Sequence, residues 1–257
     1  MSDLTLIVTA HDETAVAGPT MRAADLAVEA AREGGYSVQP IIALDAATEA
    51  THAYFRQRRF DHWERRILDE GDLGRVRNAL VPETDGDFIA FLDADDLFSE
   101  NWLLRGLDNV RAGEERGERR IAHPELNVLF DRNLAVTRNL DQHSPLFTPF
   151  YFYLRNYYDS LCLAPRDAHI SVPYVHRDIP NGLSFQDFQF AIETMAQGFV
   201  HVVVKDTIIF KRRRTASLVV ESMNRKAIVR SLPEMAIDRV RGLASRHRRT
   251  SGDTVPR

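Results

Sequence analysis

The stretch Gly86-Asp-Phe-Ile-Ala-Phe-Leu-Asp-Ala-Asp-Asp96 decides how this chain is read. Phe88 to Leu92 is a short, nearly continuous apolar run of the kind a sheet buries on both faces. Three carboxylates follow at once: Asp93, Asp95 and Asp96. Open α/β sheets place ligands at the carboxyl ends of their strands, and acids gathered there repel one another unless a cation neutralises them. Mg²⁺ or Mn²⁺, bound through a few carboxylates plus substrate phosphates, suits such a tip. A capped turn is the alternative, since Asp is a frequent turn and helix-capping residue.

Working outward, strands and helices alternate. Leu4 to Thr9 is a β-rich run ending at Ala10-His11-Asp12-Glu13, and Thr20 to Glu33 has a helical apolar period stopped by Gly34-Gly35. Val38 to Leu44 is a second strand, tipped by Asp45. Ala46 to Arg58 reads as helix, Trp63 to Leu68 as a weaker strand, and Leu73 to Pro82 and Trp102 to Val110 as helices around Phe88–Leu92. Repeated strand–helix units imply a parallel sheet with right-handed crossovers. Three strands then end in polar or acidic tips that share one edge, the place for a nucleotide and metal site.

Composition narrows the classes. The 257 residues carry a net charge of −4, with 44% hydrophobic and 27% charged residues, which is ordinary for a globular chain and gives no global pull towards nucleic acid. The one cysteine, Cys162, excludes an intrachain disulfide and a Cys-rich metal centre, and its apolar neighbours Leu161 and Leu163 favour burial. No apolar stretch approaches bilayer length and no signal peptide is evident, so a cytoplasmic location is expected.

After residue 113 the character changes. Gly113 to Arg120 reads as a solvated charged loop, Ile121 to Phe130 and Ser160 to Leu163 as strands. Pro145 to Tyr158 is dense in aromatics, either core or a stacking platform for a sugar. Ser184 to Gly198 reads as a helix with Ser184 as N-cap and Gly198 as C-cap, followed by short strands His201–Val204 and Thr207–Phe210. Glu221 to Arg249 has a basic amphipathic pattern, interrupted by Pro233, and the chain beyond Thr250 is expected to be disordered. Such a tail either packs on the domain or a partner subunit, or lies on an anionic membrane surface.

In order along residues 4 to about 220, these segments resemble a family 2 glycosyltransferase with the GT-A fold. Leu6-Ile-Val-Thr-Ala-His-Asp-Glu13 resembles its first strand and tip, and Ala43-Leu-Asp-Ala-Ala-Thr-Glu-Ala-Thr51 its V-D-D-G-S-x-D-x-T stretch. Gly71-Asp-Leu-Gly-Arg-Val-Arg-Asn-Ala79 resembles G-x-x-x-A-R-N, and Gly86 to Trp102 the GD-[YF]-[IV]-x-F-L-D-x-D-D segment closely. Phe185-Gln-Asp187 stands where Glu-Asp often opens a helix, and Phe210-Lys-Arg-Arg-Arg-Thr-Ala-Ser217 resembles Y-R-x-R-x-x-S.

The resemblance implies a Rossmann-like, mostly parallel sheet flanked by helices. Residues 1–112 form a nucleotide-binding half, 113–220 an acceptor half, and 221–257 a helical tail. It implies inverting, metal-dependent transfer of a sugar from a nucleotide-sugar to an acceptor hydroxyl, in polysaccharide or glycoconjugate assembly. Asp95 is the first metal ligand for Mn²⁺ or Mg²⁺, with Asp93 on the metal or ribose and Asp96 capping the next turn. On the resemblance Ala10, His11, Glu13 and Asp45 would border ribose and base, Arg77 would face the pyrophosphate or the acid cluster, and Arg212, Arg213 and Arg214 would hold diphosphate oxygens. Asp187 is the general base, and Gln186, where Glu is usual, contacts the acceptor.

The resemblance implies a UDP-sugar donor first; Leu44 and Ala46-Ala47 depart from the family pattern, so the base pocket is atypical and UDP cannot be assumed over GDP or dTDP. The acceptor class is a glycan or lipid-linked glycan; a homo-oligomer and a peripheral contact with the inner membrane face are further expectations. Two rivals stand: a catalytically silent GT-A-like sugar-binding or scaffold protein, and a nucleotidyltransferase. The latter would need a glycine-rich, basic loop after Thr9 to hold a triphosphate, which this chain lacks. A dinucleotide-binding dehydrogenase would need G-x-G-x-x-G in the first turn, which is also missing here.

Overall fold

The computed structural model of the chain describes residues 2–132, 134–214 and 218–245. The first half is β1 (Ser2–Ala10), α1 (Ala17–Glu33), β2 (Val38–Asp45), α2 (Glu49–Phe55), β3 (Glu64–Leu68), α3 (Leu73–Leu80), β4 (Gly86–Asp93), β5 (Leu97–Phe98) and α4 (Trp102–Glu114). The second is β6 (Arg120–Asp131), β7 (Ala135–Arg138), β8 (Leu163–Pro165), α5 (Arg166–Ser171), α6 (Gln186–Ala196), β9 (Val200–Arg213), α7 (Leu218–Asn224) and α8 (Gly242–Ser245).

One sheet runs through both halves in the order β3-β2-β1-β4-β8-β6-β9-β5, with β7 paired to β6. β1, β2, β3 and β4 are mutually parallel, β8 is antiparallel to β4 and β6, and β6 and β9 are parallel. Register decides where the site falls. Thr9 stands beside Asp93 and Ala10 beside Leu44, so the polar tips of β1, β2 and β4 lie level at one edge.

Leu4, Leu6, Ile7, Val8 and Phe88 to Leu92 are buried, so the central strands are covered on both faces. α1 lays the small residues Ala24, Ala27 and Ala31 on the core, and α4 lays Trp102, Leu103 and Leu107 there. Truncating a fully buried side chain such as Leu107 to Ala costs about 2–5 kcal/mol. A second apolar cluster joins Phe152 and Tyr158 to Ala191, Ile192 and Met195 of α6 and to Leu232, Val240 and Leu243. The aromatic segment is therefore largely core, although Phe150 and Tyr153 remain partly exposed.

Several sequence expectations are corrected. α2 is confined to Glu49–Phe55, because Thr48 is extended and its Oγ1 accepts the Thr51 N–H. The charged segment from Gly113 is not all solvated loop: α4 runs to Glu114, and Arg120 opens β6 with its guanidinium 2.6 Å from Glu118. The strand expected from Ser160 starts only at Leu163. The two strands around Lys205-Asp206 are one: Asp206 absorbs an irregularity at φ 57° and pairing with β6 continues after a register shift between Pro124 and Leu126.

Ser184 does not cap α6. Phe185 holds the cap position at φ 66°, and Ser184 pairs with Ser222 through their hydroxyls at 2.8 Å. Gly198 follows the helix at φ 87°, the left-handed turn that favours glycine. The tail is not one amphipathic helix: α7 and α8 are separated by irregular chain and a 3-10 turn that Pro233 opens. Residues 215–217 of the basic element lie outside the described residues. So do Arg246, Arg248, Arg249 and the stretch beyond Thr250.

Candidate active site

The acid cluster is a tight turn at the end of β4. The Ala94 N–H donates to the Thr9 carbonyl at 2.9 Å, the Asp96 N–H to the Asp93 carbonyl at 2.9 Å, and the Thr9 hydroxyl to Asp93 Oδ1 at 3.0 Å. Behind it lies Arg77, only 2% exposed, with Nη2 3.7 Å from Asp93 Oδ1. Its guanidinium sits over Phe91 at 5.0 Å and Tyr174 at 5.1 Å. Asn78 holds that arrangement, donating to the Tyr174 carbonyl at 2.7 Å and accepting its N–H at 2.8 Å. Among the described residues Arg77 Nε and Nη2 have no hydrogen-bond partner, so a buried cation with unused donors faces the acid tip.

Asp95 and Asp96 have separate partners. Asp95 Oδ2 is 2.6 Å from Arg214 Nη2, which also lies 3.1 Å from Glu13 Oε1. Burial, then the Asp93 charge, pushes the Asp95 carboxyl above the usual range against the pull of Arg214. Asp96 does not cap the following turn as expected. It is 3% exposed and accepts the Arg212 N–H at 2.8 Å, which fastens β9 to the β4 tip. Burial raises its carboxyl to about 8, despite Lys211. Arg212 reaches Asp131 at 3.0 Å and stacks over Phe130.

The expected base-side residues lie together. His11 Nδ1 donates to the Asp45 carbonyl at 2.9 Å, and Glu13 Oε2 accepts the N–H groups of His11 and Asp12 at 2.6 and 2.9 Å. The Asp45 carboxylate accepts the Glu70 N–H at 2.7 Å and Gly71 N–H at 3.3 Å, holding the loop before α3. Ala10 is buried beside them on β1.

On the other side α6 carries Asp187 in its first turn, and Asn156 Nδ2 donates to Asp187 Oδ2 at 3.3 Å. Burial and Asp159 raise the Asp187 carboxyl, opposed by Lys211, the Phe188 N–H and Arg77. Gln186 is placed otherwise than expected. It is buried, and its amide donates to Asp72 Oδ1 at 2.9 Å, tying α6 to the cap of α3. Sequence reasoning missed Thr9, Asp72, Asn156, Asp159 and Lys211. Of these, only Asp72, before the Arg77 helix, carried a local signal as a helix cap.

Two hard carboxylates, Asp93 and Asp95, fit a divalent cation that takes its other ligands from phosphate and water. The negative excess around Asp95, answered by Arg214, is the charge such an ion would meet. Among the described residues no group of three or more His, Cys, Asp or Glu side chains forms a metal cage.

Residues 5–128 match the Glycosyl transferase family 2 model. That segment is similar to glycosyl transferase family 2. Among solved structures, TarS residues 1–349 from S. aureus in complex with UDP-GlcNAc aligns with a TM-score of 0.60 at 14% identity, covering 84% of this chain and 60% of that one. The same fragment with UDP gives 0.59 and 14%, covering 82% and 60%. TarS itself gives 0.59 and 13%, covering 82% of this chain and 37% of its own. The chain thus shares the GT-A fold of these structures and spans about three fifths of the TarS fragment it matches. No curated protein matched its sequence.

Proposed function

We propose that the chain is a glycosyltransferase moving a sugar from a nucleoside-diphosphate sugar to an acceptor hydroxyl, with inversion. One observation carries this: level strand tips bring Glu13, Asp93 and Asp95 together with Arg77, Arg212 and Arg214, and Asp187 opens α6 with its carboxylate on Asn156. His11 and Asp45 wall the base and ribose, and the arginines bind the diphosphate oxygens. Asp95 and Asp93 would hold Mg²⁺ or Mn²⁺, which supplies Lewis-acid stabilisation of the leaving diphosphate. Asp187 takes the acceptor proton, and Asn156 and the Gln186–Asp72 tie orient it.

UDP in the TarS crystals supports UDP as the first donor nucleotide to test, ahead of GDP and dTDP. A glycan or lipid-linked glycan is the acceptor class. No helix among the described residues is long and apolar enough to cross a membrane. Contact with an anionic surface through the basic tail is tested by liposome sedimentation of the whole chain and one ending at residue 220; equal binding rejects it.

The deciding experiment is thermal-shift screening of UDP, GDP, CMP and dTDP with and without Mn²⁺. Metal-dependent stabilisation by one nucleotide is expected from mass action. No shift with any of them overturns the donor-site assignment.

A further inference from the structure

A non-glycine residue in a left-handed turn opens the helix that carries Asp187. Phe185 sits at φ 66° and ψ 59°, immediately before Gln186 and Asp187, the first two residues of α6. A residue with a Cβ rarely adopts that backbone, and it persists only where the surroundings over-determine it. Here they do so from both sides. Ahead of Phe185, the Ser184 N–H donates to the Ile228 carbonyl at 3.0 Å and the Ser184 hydroxyl pairs with that of Ser222 at 2.8 Å. The Ile228 N–H returns to the Gly182 carbonyl at 2.8 Å. Behind Phe185, Gln186 Nε2 donates to Asp72 Oδ1 at 2.9 Å.

The two holds are joined. Asp72 Oδ2 accepts the Arg177 N–H at 3.0 Å, and Arg177 Nη2 reaches Glu221 at 2.7 Å and the Ser222 hydroxyl at 3.4 Å. A closed circuit of contacts thus runs from Ser222 through Ser184, Gln186, Asp72 and Arg177 back to Ser222, with Phe185 the link between Ser184 and Gln186. The Phe185 carbonyl accepts the N–H groups of Phe188 and Gln189 at 3.2 and 3.3 Å, so its orientation sets the first turn of α6.

We propose that residues 221–228 are not an accessory tail but a clamp for the catalytic helix: with Asp72 they hold Phe185 in its left-handed turn and so aim Asp187. Ser222, Ile228, Asp72 and Gln186 are positioning residues in this reading, which rests on Asp187 being the base. A released Phe185 would relax to negative φ and swing the start of α6, moving the carboxylate off the acceptor. Reach to the reacting proton is the first requirement of a general base.

Cutting both sides of the clamp tests it. In crystals of the double variant Gln186→Met/Ser222→Ala, φ at Phe185 is expected to turn negative and Asp187 Oδ2 to leave hydrogen-bonding reach of Asn156. Turnover should fall about 10- to 100-fold, the scale of a misplaced catalytic group, while thermal stabilisation by UDP with Mn²⁺ keeps its native size. Phe185→Gly adds a readout that a loss of packing would not move. Glycine is at ease in the left-handed region, so Gln186→Met should cost less turnover in that background than in the native one. The proposal is overturned if φ stays positive with Asp187 still on Asn156 in the double variant, or if the penalties of Phe185→Gly and Gln186→Met simply multiply. Should the double variant not fold, each single variant is read in the same way. Asp187→Asn is assayed beside them. If it is slow while Gln186→Met turns over at the native rate, the clamp fails and the base stands; native turnover of Asp187→Asn removes the base, and with it what the clamp would aim.

Discussion

Arg214 and Asp95 form a contact of 2.6 Å, and the same guanidinium nitrogen reaches Glu13 at 3.1 Å. A side-chain cation therefore sits on the carboxylate proposed as the first metal ligand, so a divalent ion must displace or share it. Arg214→Gln is expected to tighten nucleotide-free Mn²⁺ binding about two- to fivefold, the scale of releasing a partly exposed ion pair. It should weaken UDP binding at the same time. Calorimetric titration of each ligand checks both; weaker Mn²⁺ binding in the variant rejects the competition.

Asp187→Asn keeps the shape and hydrogen-bonding capacity of the side chain but removes a base. Turnover should fall at least about 100-fold, while nucleotide-induced thermal stabilisation persists. Loss of both together would place Asp187 in donor binding.

Gly74 allows α3 and α6 to meet. A Cβ there would lie 2.5 Å from Gln186 Nε2 and 2.9 Å from the Val175 carbonyl oxygen. The second contact is with backbone, which yields poorly. Gly74→Ala should destabilise the fold by about 1–3 kcal/mol, measured by urea denaturation. Its residual turnover should fall more than its nucleotide binding does, since the clash pushes on the helix that carries Asp187. An unchanged urea midpoint would contradict the close packing.

Burial lowers the His169 ring to about 3, helped by Arg77, and neither ring nitrogen has a hydrogen-bond partner among the described residues. Native His169 refuses a proton that the unfolded chain accepts below about 6.5. Its stabilising share is thus present above that pH and is lost as pH falls from about 6.5 towards 3. His123, also lowered to about 3 by burial, contributes in the same direction. His169→Phe preserves stacking on Phe190 and should reduce the stability lost between pH 7 and 5 by on the order of 1–2 kcal/mol. Urea melts at the two pH values measure this; identical losses in variant and native protein would show that His169 does not titrate in this way.

Local pattern carried the donor half. The apolar runs of β1, β2 and β4 are bounded by breakers, and their tips held the candidate residues in chain order. Pairings made at long range were opaque. Ser184 satisfies every local rule for a helix cap, yet Ser222 from another element takes its hydroxyl. Lys205-Asp206 has the composition of a turn, and only the partner strand β6 reveals a bulge within one strand. Gln186 was expected beside the acceptor because its neighbour aligns with a base; its actual partner, Asp72, belongs to the α3 cap. Lys211 was hidden in a basic run, and its acid Asp159 comes from a loop with no periodicity to announce it.

The parallel pairing of β6 with β9, Ile121 beside His201, also has a kinetic meaning. The β1–β2 pair needs only short-range closure, Leu4 beside Val38, whereas β1 with β4, Leu4 beside Phe88, and β6 with β9, Arg120 beside Val200, both close much longer stretches. During synthesis, Asp93, Asp95 and Asp96 emerge well before Lys211, Arg212 and Arg214. The nascent acid tip thus waits, mutually repelling, for the last strand, and its arrival completes both the sheet and the charge balance. Pulse-labelled hydrogen exchange during refolding should find β1 and β2 protected before β9; simultaneous protection would argue against that order.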